Sequence, residues 1–452
     1  MGPKQPLPAS GELFQQELTS LINLEHPLVK LAALIDWEVF QTEWSGFFPA
    51  NTGRPATPPR LIAGLLYLQH TFALSDEALV WGWVENPYWQ HFCGETHFQH
   101  EPPIDPSSLT RWRKRIGEAG VERLLSASID AARRGKVIKE KSLDKVIVDT
   151  TVMEKAIAFP TDGQLLEKGR QHLVRLASSL GIVLRQNYNR EAPRLAVLVA
   201  RYAHAKQFRR MRAVIKTQRT ILGRVWRDIQ RKLSADQGDT EAVKTTLAKV
   251  GRLLAQQRAD KHKLYSLHAP EVECIAKGKV RQPYEFGVKV SIATTHKEGL
   301  VVGIKSMPGN PYDGHTLSSA VEQIHALTHR TPKDVFVDRG YRGIAVPGVT
   351  IWRSGQKRGV TPSIKKAIHR RSAIEPAIGH MKNDGRLRRN WLKGALGDAM
   401  HAMLCGAGHN LRMILRAIRL FYGCCFASQL QLIIVAIRQY LNIAQFNQLK
   451  SA

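Results

Sequence analysis

Apolar positions recur at helical spacing through residues 1 to about 140. Leu28, Leu31, Ala32 and Ile35 form one stripe, and Leu61, Leu65 and Leu68 another. Trp37, Trp44, Trp81, Trp83, Trp89 and Trp112 fall in the same stretch, and most of them read as core. Pro106-Ser107-Ser108 opens a helix carrying Arg111, Arg113, Lys114 and Arg115. Short helices joined by tight turns, one of them basic, suit a helix-turn-helix-like DNA reader, although any small helical domain shows the same pattern. The run KVIVDTT at 145–151 then predicts a buried strand, because three β-branched residues lead into polar ones.

From about Leu165 to Leu264 the period is again helical. Strand patterns return at 284–294 and 300–306, followed by a turn at 309–314 and a helix from His315 to about Thr328. Further strands are expected at 334–338 and 349–353, a helix from about 369 to 383, and a final helical segment from near Asp398. With the helical insert set aside, the order is strand, strand, strand, helix, strand, strand, helix. That is the order of an α/β, ribonuclease-H-like fold, a mixed sheet flanked by helices. The expected organisation is an all-α N-terminal DNA-binding domain (1–140) and a catalytic domain (141–420). A basic helical insertion at about 160–270 follows the first strand, and residues 421–452 form a C-terminal helical tail.

Charge changes the picture. The 452 residues contain 66 Lys and Arg against 38 Asp and Glu, a formal net charge of +28. Such an excess repels itself in a folded chain and points to a polyanionic partner, nucleic acid first, ahead of an anionic membrane surface. Between Arg201 and Lys232 there are eleven cations, Arg209 and Arg210 among them, and Asp228 is the one acid. Such a run is either a solvated helical face or a DNA contact, and the lack of acidic partners four residues away favours DNA. The five cysteines form no CxxC pair and have no zinc-like spacing, which fits a reducing cytoplasm. His296, His315, His369 and His380 are likewise scattered. The start of the chain lacks the apolar core of a signal peptide. Phe421–Ile437 is free of charge, but it is at the short limit for a membrane span and contains Ser428, Gln429 and Gln431, so it reads as a packed helix.

Two carboxylates carry the candidate chemistry. Val146-Ile147-Val148-Asp149 and Val335-Phe336-Val337-Asp338 are one construction twice, three apolar strand residues with a carboxylate at the strand's end. Either alone could cap a turn. Burying such carboxylates is costly unless charge or strong donors compensate. A third acid, Glu375, lies with Arg371 and Lys382 on one helical stripe, and Ile374, Ile378 and Met381 give that helix an apolar side to lay on the sheet. Oxygen-only ligands select Mg²⁺ or Mn²⁺. Two such ions, roughly 3.5–4 Å apart, activate an attacking oxygen and stabilise a leaving one.

The chain resembles the DDE transposases of bacterial insertion sequences, in the IS5 branch of the IS4-like group. The residues carrying the likeness are IVDTT (147–151), AFPTDGQLL (158–166), GNPYDGHTL (309–317), VDRGYRG (337–343), and RRSAIEPAIGHMK with LKGALGDAMHAML (370–404). SSLTRWRKRIGE (107–118) is similar to that group's amino-terminal domain, and the likeness spans roughly residues 20 to 420. It implies that Asp149, Asp338 and Glu375 are the catalytic, metal-binding triad. It also implies cleavage at terminal inverted repeats, transfer of the 3′-hydroxyl ends to target DNA, and a homodimer in a paired-end complex. The group's Tyr-Arg-Glu-Lys signature is matched at Arg371, Glu375 and Lys382, but its tyrosine position is Ile368, next to His369. The basic insert also follows the first strand, whereas some relatives interrupt the fold before the last acidic helix.

Expected DNA contacts are Arg371, Lys382, Arg342, Arg111, Arg113, Arg209 and Arg210. The alternatives are a nuclease of the same fold that cuts without joining, and a DNA-binding protein that has lost catalysis. No GxxxxGK loop is present, which argues against ATP use.

Overall fold

The computed structural model describes residues 16–47 and 57–421, apart from 258, 277 and 279–281. All but the first residue of the expected tail (421–452), and of the uncharged run at 421–437, lie outside the described residues. Seven helices come first: α1 (Leu18–Leu21), α2 (Pro27–Leu34), α3 (Glu38–Trp44), α4 (Pro59–Thr71), α5 (Asp76–Glu85), α6 (Pro87–Cys93) and α7 (Pro106–Arg134). Local chemistry sets their starts. The Ser75 hydroxyl accepts the Ala78 N–H at α5, the Asn86 side-chain oxygen accepts those of Tyr88 and Trp89 at α6, and Asp105 accepts that of Ser107 at α7. Inside α7, Gly117 has φ 61° and ψ −162°, a backbone position open chiefly to glycine, so the helix kinks there. Trp44 and Trp83 are fully buried, but Trp81 is 59% exposed and is an exception to the core reading of the tryptophans.

The seven strands are β1 (Lys145–Lys155), β2 (Glu273–Ala276), β3 (Tyr284–Thr295), β4 (Val301–Met307), β5 (Asp334–Val337), β6 (Thr350–Arg353) and β7 (Arg389–Asn390). They form one mixed sheet. β3 pairs antiparallel with β1 on one side and with β2 and β4 on the other, while β5 and β6 continue from β1 in parallel. β1 runs on to Lys155, and its end pairs with β7. The sequence placed Asp149 at a strand end; it lies in mid-strand, because β3 supports β1 as far as Glu154.

The main apolar core lies on both faces of the sheet, since Ile292 pairs with Asp149 and Val148 alternates with it. Val146, Val148, Ile292, Ile304, Val335 and Val337 belong to a core continuous with the N-terminal helices, α13 (Leu317–Thr328) and the last helix, 394–421. The helical segment and the sheet therefore share apolar packing across residue 140. Gly408 makes this close fit possible: a Cβ there would sit 2.4 Å from the His70 carbonyl oxygen. Ile147 and Phe336 point to the face opposite Val146, Val148, Val335 and Val337 and pack with Ile374.

The insertion comprises α8 (Asp162–Ser179), α9 (Glu191–His204), α10 (Phe208–Lys232), α11 (Ala235–Gly238) and α12 (Glu241–Ala255). Leu173, Leu222, Val225, Ile229 and Leu253 are part of a core of its own. Not all of its cations face outward. Buried Asp228 accepts the Arg185 N–H and the Lys232 ammonium, so an ion pair at i+4 exists where none was expected. Arg219 donates to the carbonyls of Leu254 and Gln256. Arg209 and Arg210 are exposed.

Candidate active site

The register of the sheet brings the first two acids to one level. Lys145, Val146 and Ile147 pair with Asp334, Val335 and Phe336, and continuing by two residues sets Asp149 opposite Asp338. Alternation along a strand puts Asp149 on the face of Ile147, and Asp338 follows Phe336 in the same way. Ile374 packs on both Ile147 and Phe336, so the helix bearing Glu375 is anchored on that face.

That helix is not continuous from 369 to 383, as the pattern suggested. α14 (Pro362–Arg370) ends in a tight turn at Arg371–Ala373, and α15 (Ile374–Asn383) begins after it. Pro376 explains the break, since its ring is incompatible with a helical carbonyl four residues earlier, at Ser372, but is tolerated in a first turn. Glu375 consequently sits in the first turn of α15, where the helix dipole favours negative charge.

Arg371 ties the site together. Its Nη1 donates to Asp149 Oδ2 at 3.1 Å and its Nη2 to Glu375 Oε1 at 3.2 Å. Asp149 Oδ1 accepts the Thr150 N–H at 2.8 Å, and Asp338 Oδ1 accepts the Arg339 N–H at 2.6 Å. Burial pushes the Asp149 carboxyl above the usual carboxylate range; the Thr150 N–H and Arg371 oppose this, and the charge of Asp338 adds to it. The side chain of Asp149 is 21% exposed and that of Glu375 63%, so the group opens to solvent on the Glu375 side. The three acids are not drawn into a tight cluster of ligand atoms.

The donor set nevertheless suits a hard cation: carboxylate oxygens, one of them short of compensating charge, with a guanidinium already bridging two of the three. Asp149, Asp338 and Glu375 are the residues that could hold divalent ions.

A fourth carboxylate escaped the sequence reading. Asp313, in the GNPYDG turn, accepts the Thr150 hydroxyl at 3.0 Å and the Lys289 ammonium at 2.9 Å. Thr150 points to the opposite face from Asp149, so Asp313 flanks the site. Tyr341, buried between, has its hydroxyl pKa pushed up by burial and by Asp149, Asp313 and Asp338. The available signal was the aspartate inside a quoted motif, but nothing local linked it to the strand.

The expected DNA contacts divide. Arg371 is committed to carboxylates. Lys382 is half-buried and lines a cleft of about 780 Å³ with Arg386, Arg388 and Arg389. Arg342 and Arg111 are exposed. Arg113 is a correction: its side chain is 5% exposed and its guanidinium bonds Asp76 at 2.5 and 3.0 Å and Gln69 at 2.8 Å, inside the helical region. It faces inward because it shares the buried stripe of α7 with Leu109, Trp112 and Ile116. Ile368, where the tyrosine of the signature would stand, packs beside Ile147, Phe336 and Ile374, and His369 is exposed.

Residues 16–115 match the family described as Transposase domain (DUF772), and residues 258–407 the family described as Transposase DDE domain. Asp149 and the insertion lie between the two matches, while Asp338 and Glu375 lie inside the second. The chain is 51% identical over 208 residues to "Uncharacterized protein ORF8 in nfe locus" of Rhizobium meliloti, an alignment covering 46% of this chain and all of that protein. No solved structure matches it. Among the described residues no helix is long and apolar enough to cross a membrane. Two transposase domain models thus match in tandem, the second a DDE domain that contributes Asp338 and Glu375, and together they support a DDE transposase.

Proposed function

We propose that this chain is an insertion-sequence transposase of the IS5 branch. It would cleave the element's ends at inverted repeats and transfer the 3′-hydroxyl ends to target DNA. The observation that carries the reading is the shared level of Asp149 and Asp338 on adjacent parallel strands, with Arg371 joining Asp149 to Glu375. The strand order, antiparallel on the β3 side and parallel from β1 through β6, supports a ribonuclease-H-like core.

In this reading Asp149, Asp338 and Glu375 hold two Mg²⁺ or Mn²⁺ ions. When bound, such ions activate the attacking oxygen and stabilise the leaving one. The chain's own residues do the rest. Asp149, held by the Thr150 N–H and Arg371, would present its carboxylate to the cation from the floor of the site. Ile374 on Ile147 and Phe336 fixes the approach of Glu375. Arg371 uses two of its five N–H donors on carboxylates, and the remaining donors are the ones that would meet a scissile phosphate. Lys382 faces the basic cleft and would hold the DNA backbone beyond α15. Pairing two ends calls for a homodimer.

Incubating the protein with Mg²⁺, a labelled repeat-end duplex and supercoiled target should yield nicked ends and then joined product. Cleavage without joining would point to a nuclease and overturn the transposase reading.

The exposed pair Arg209 and Arg210 supports DNA binding by the insertion. Replacing both with alanine should reduce the slope of log K against log salt by about 0.9 for each phosphate the pair neutralises. Binding measured across a salt series checks this. An unchanged slope would return that face to solvent.

A further inference from the structure

His70 on α4 and His401 and Cys405 on the last helix form a second, wholly buried group of donors. They are 2%, 2% and 1% exposed. One donor atom from each lies within 4.8 Å of the others, and among the described residues no other His, Cys, Asp or Glu trio is so closely gathered. His401 and Cys405 are four residues apart, hence on one helical face. The His70 and His401 rings meet edge to face, with centroids 5.6 Å apart.

The tautomers follow from the hydrogen bonds. Each histidine has one ring nitrogen against a backbone carbonyl: Nδ1 of His70 is 3.1 Å from the Leu66 oxygen, and Nε2 of His401 is 2.9 Å from the Arg386 oxygen. A carbonyl only accepts, so these nitrogens carry the hydrogen and the opposite ones bear lone pairs. The His70 lone-pair nitrogen, Nε2, is buried without a hydrogen-bond partner. A buried acceptor left unmet is costly. A carbonyl holding one ring nitrogen while the other points at an ion is the usual outer arrangement of a metal-bound histidine.

We propose that His70, His401 and Cys405 bind one Zn²⁺, which clips the N-terminal helices to the last helix of the catalytic region. Two imidazoles and a thiolate are a zinc donor set, unlike the oxygen set of the candidate active site. Metal–donor bonds of about 2.0–2.3 Å place ligands roughly 3.5 Å apart, so the group closes by about an ångström on binding. Both histidines line the 780 Å³ cleft, from which water can supply the fourth ligand. Coordination deprotonates the thiol outright, and one proton leaves to solvent. The nearby charge of Arg113 is already matched by Asp76.

The test is metal analysis of the full chain purified without added metal, then Co²⁺ loading of chelator-stripped protein. The expected result is about one zinc per chain, retained in Asp149→Asn, and an intense thiolate-to-cobalt absorption band. Cys405→Ser should lose the band, and His70→Gln should weaken binding at least tenfold. Wild-type protein with neither zinc nor the band overturns the site, whether or not the variants fold. So does copper in place of zinc, or a band that survives Cys405→Ser.

Discussion

Asp149→Asn is expected to slow Mg²⁺-dependent cleavage of a repeat-end duplex by about three orders of magnitude, with the fold intact. Metal-assisted charge stabilisation is worth several kcal/mol, and about 1.36 kcal/mol corresponds to tenfold in rate. Asparagine keeps the shape and still accepts the Thr150 N–H, but it removes the charge that faces Asp338 and Arg371. The stability effect has the opposite sign. The folded pKa of Asp149 lies above its unfolded value, so the metal-free wild type loses stability as pH rises from the unfolded value through the folded one. The variant has no such loss. Its metal-free Tm should therefore equal or exceed the wild type's at neutral pH, and the difference should close in acid. Added Mg²⁺ should raise the wild-type Tm more than the variant's. Thermal melts across pH, with and without Mg²⁺, alongside cleavage assays, check both parts. Undiminished cleavage in a folded variant would mean that the site lies elsewhere.

Arg113→Met should destabilise the chain by about 3–5 kcal/mol, whereas Arg111→Ala on the same helix should change stability by less than about 0.5 kcal/mol. The Arg113 guanidinium is buried against Asp76, whose pKa it holds below the ordinary value against an opposing desolvation, and against Gln69. Removing it leaves the half-buried Asp76 carboxylate without its cation and strands the Gln69 amide oxygen away from water. Urea midpoints of the two variants separate a structural arginine from a surface one. Equal stability in both would show that Asp76 is rescued by another cation, of which Arg386 is the nearest candidate by its influence on Asp76. The double replacement Asp76→Leu with Arg113→Met should recover much of the loss, because no charge is then left unpaired.

Strands were legible where local chemistry fixed them. Val146–Val148 and Val335–Val337 are short β-branched or aromatic runs that no amphipathic helix would use, and both are strands. The helix over 369–383 was legible as a whole but not in detail: its apolar stripe persists through the turn at Arg371–Ala373, and periodicity does not register the Ser372–Pro376 conflict. Arg113 failed for a related reason. Arg111, Arg113, Lys114 and Arg115 look alike in a basic run, and which one faces inward depends on where Asp76 lies, 37 residues away. Asp313 was hidden in the same way, since its partners Thr150 and Lys289 come from two other elements.

By itself, the sequence determined the alternation of helices and strands, the three candidate acids and the excess of positive charge. Each is written in neighbouring residues, in side-chain period, in short motifs or in simple sums. Tertiary structure alone decided the level at which Asp149 meets Asp338, the bridging of Asp149 and Glu375 by Arg371, the burial of Arg113, and the meeting of His70 with His401 and Cys405. These depend on strand register and on the seating of the last helix against α4, and both are fixed by packing between segments hundreds of residues apart.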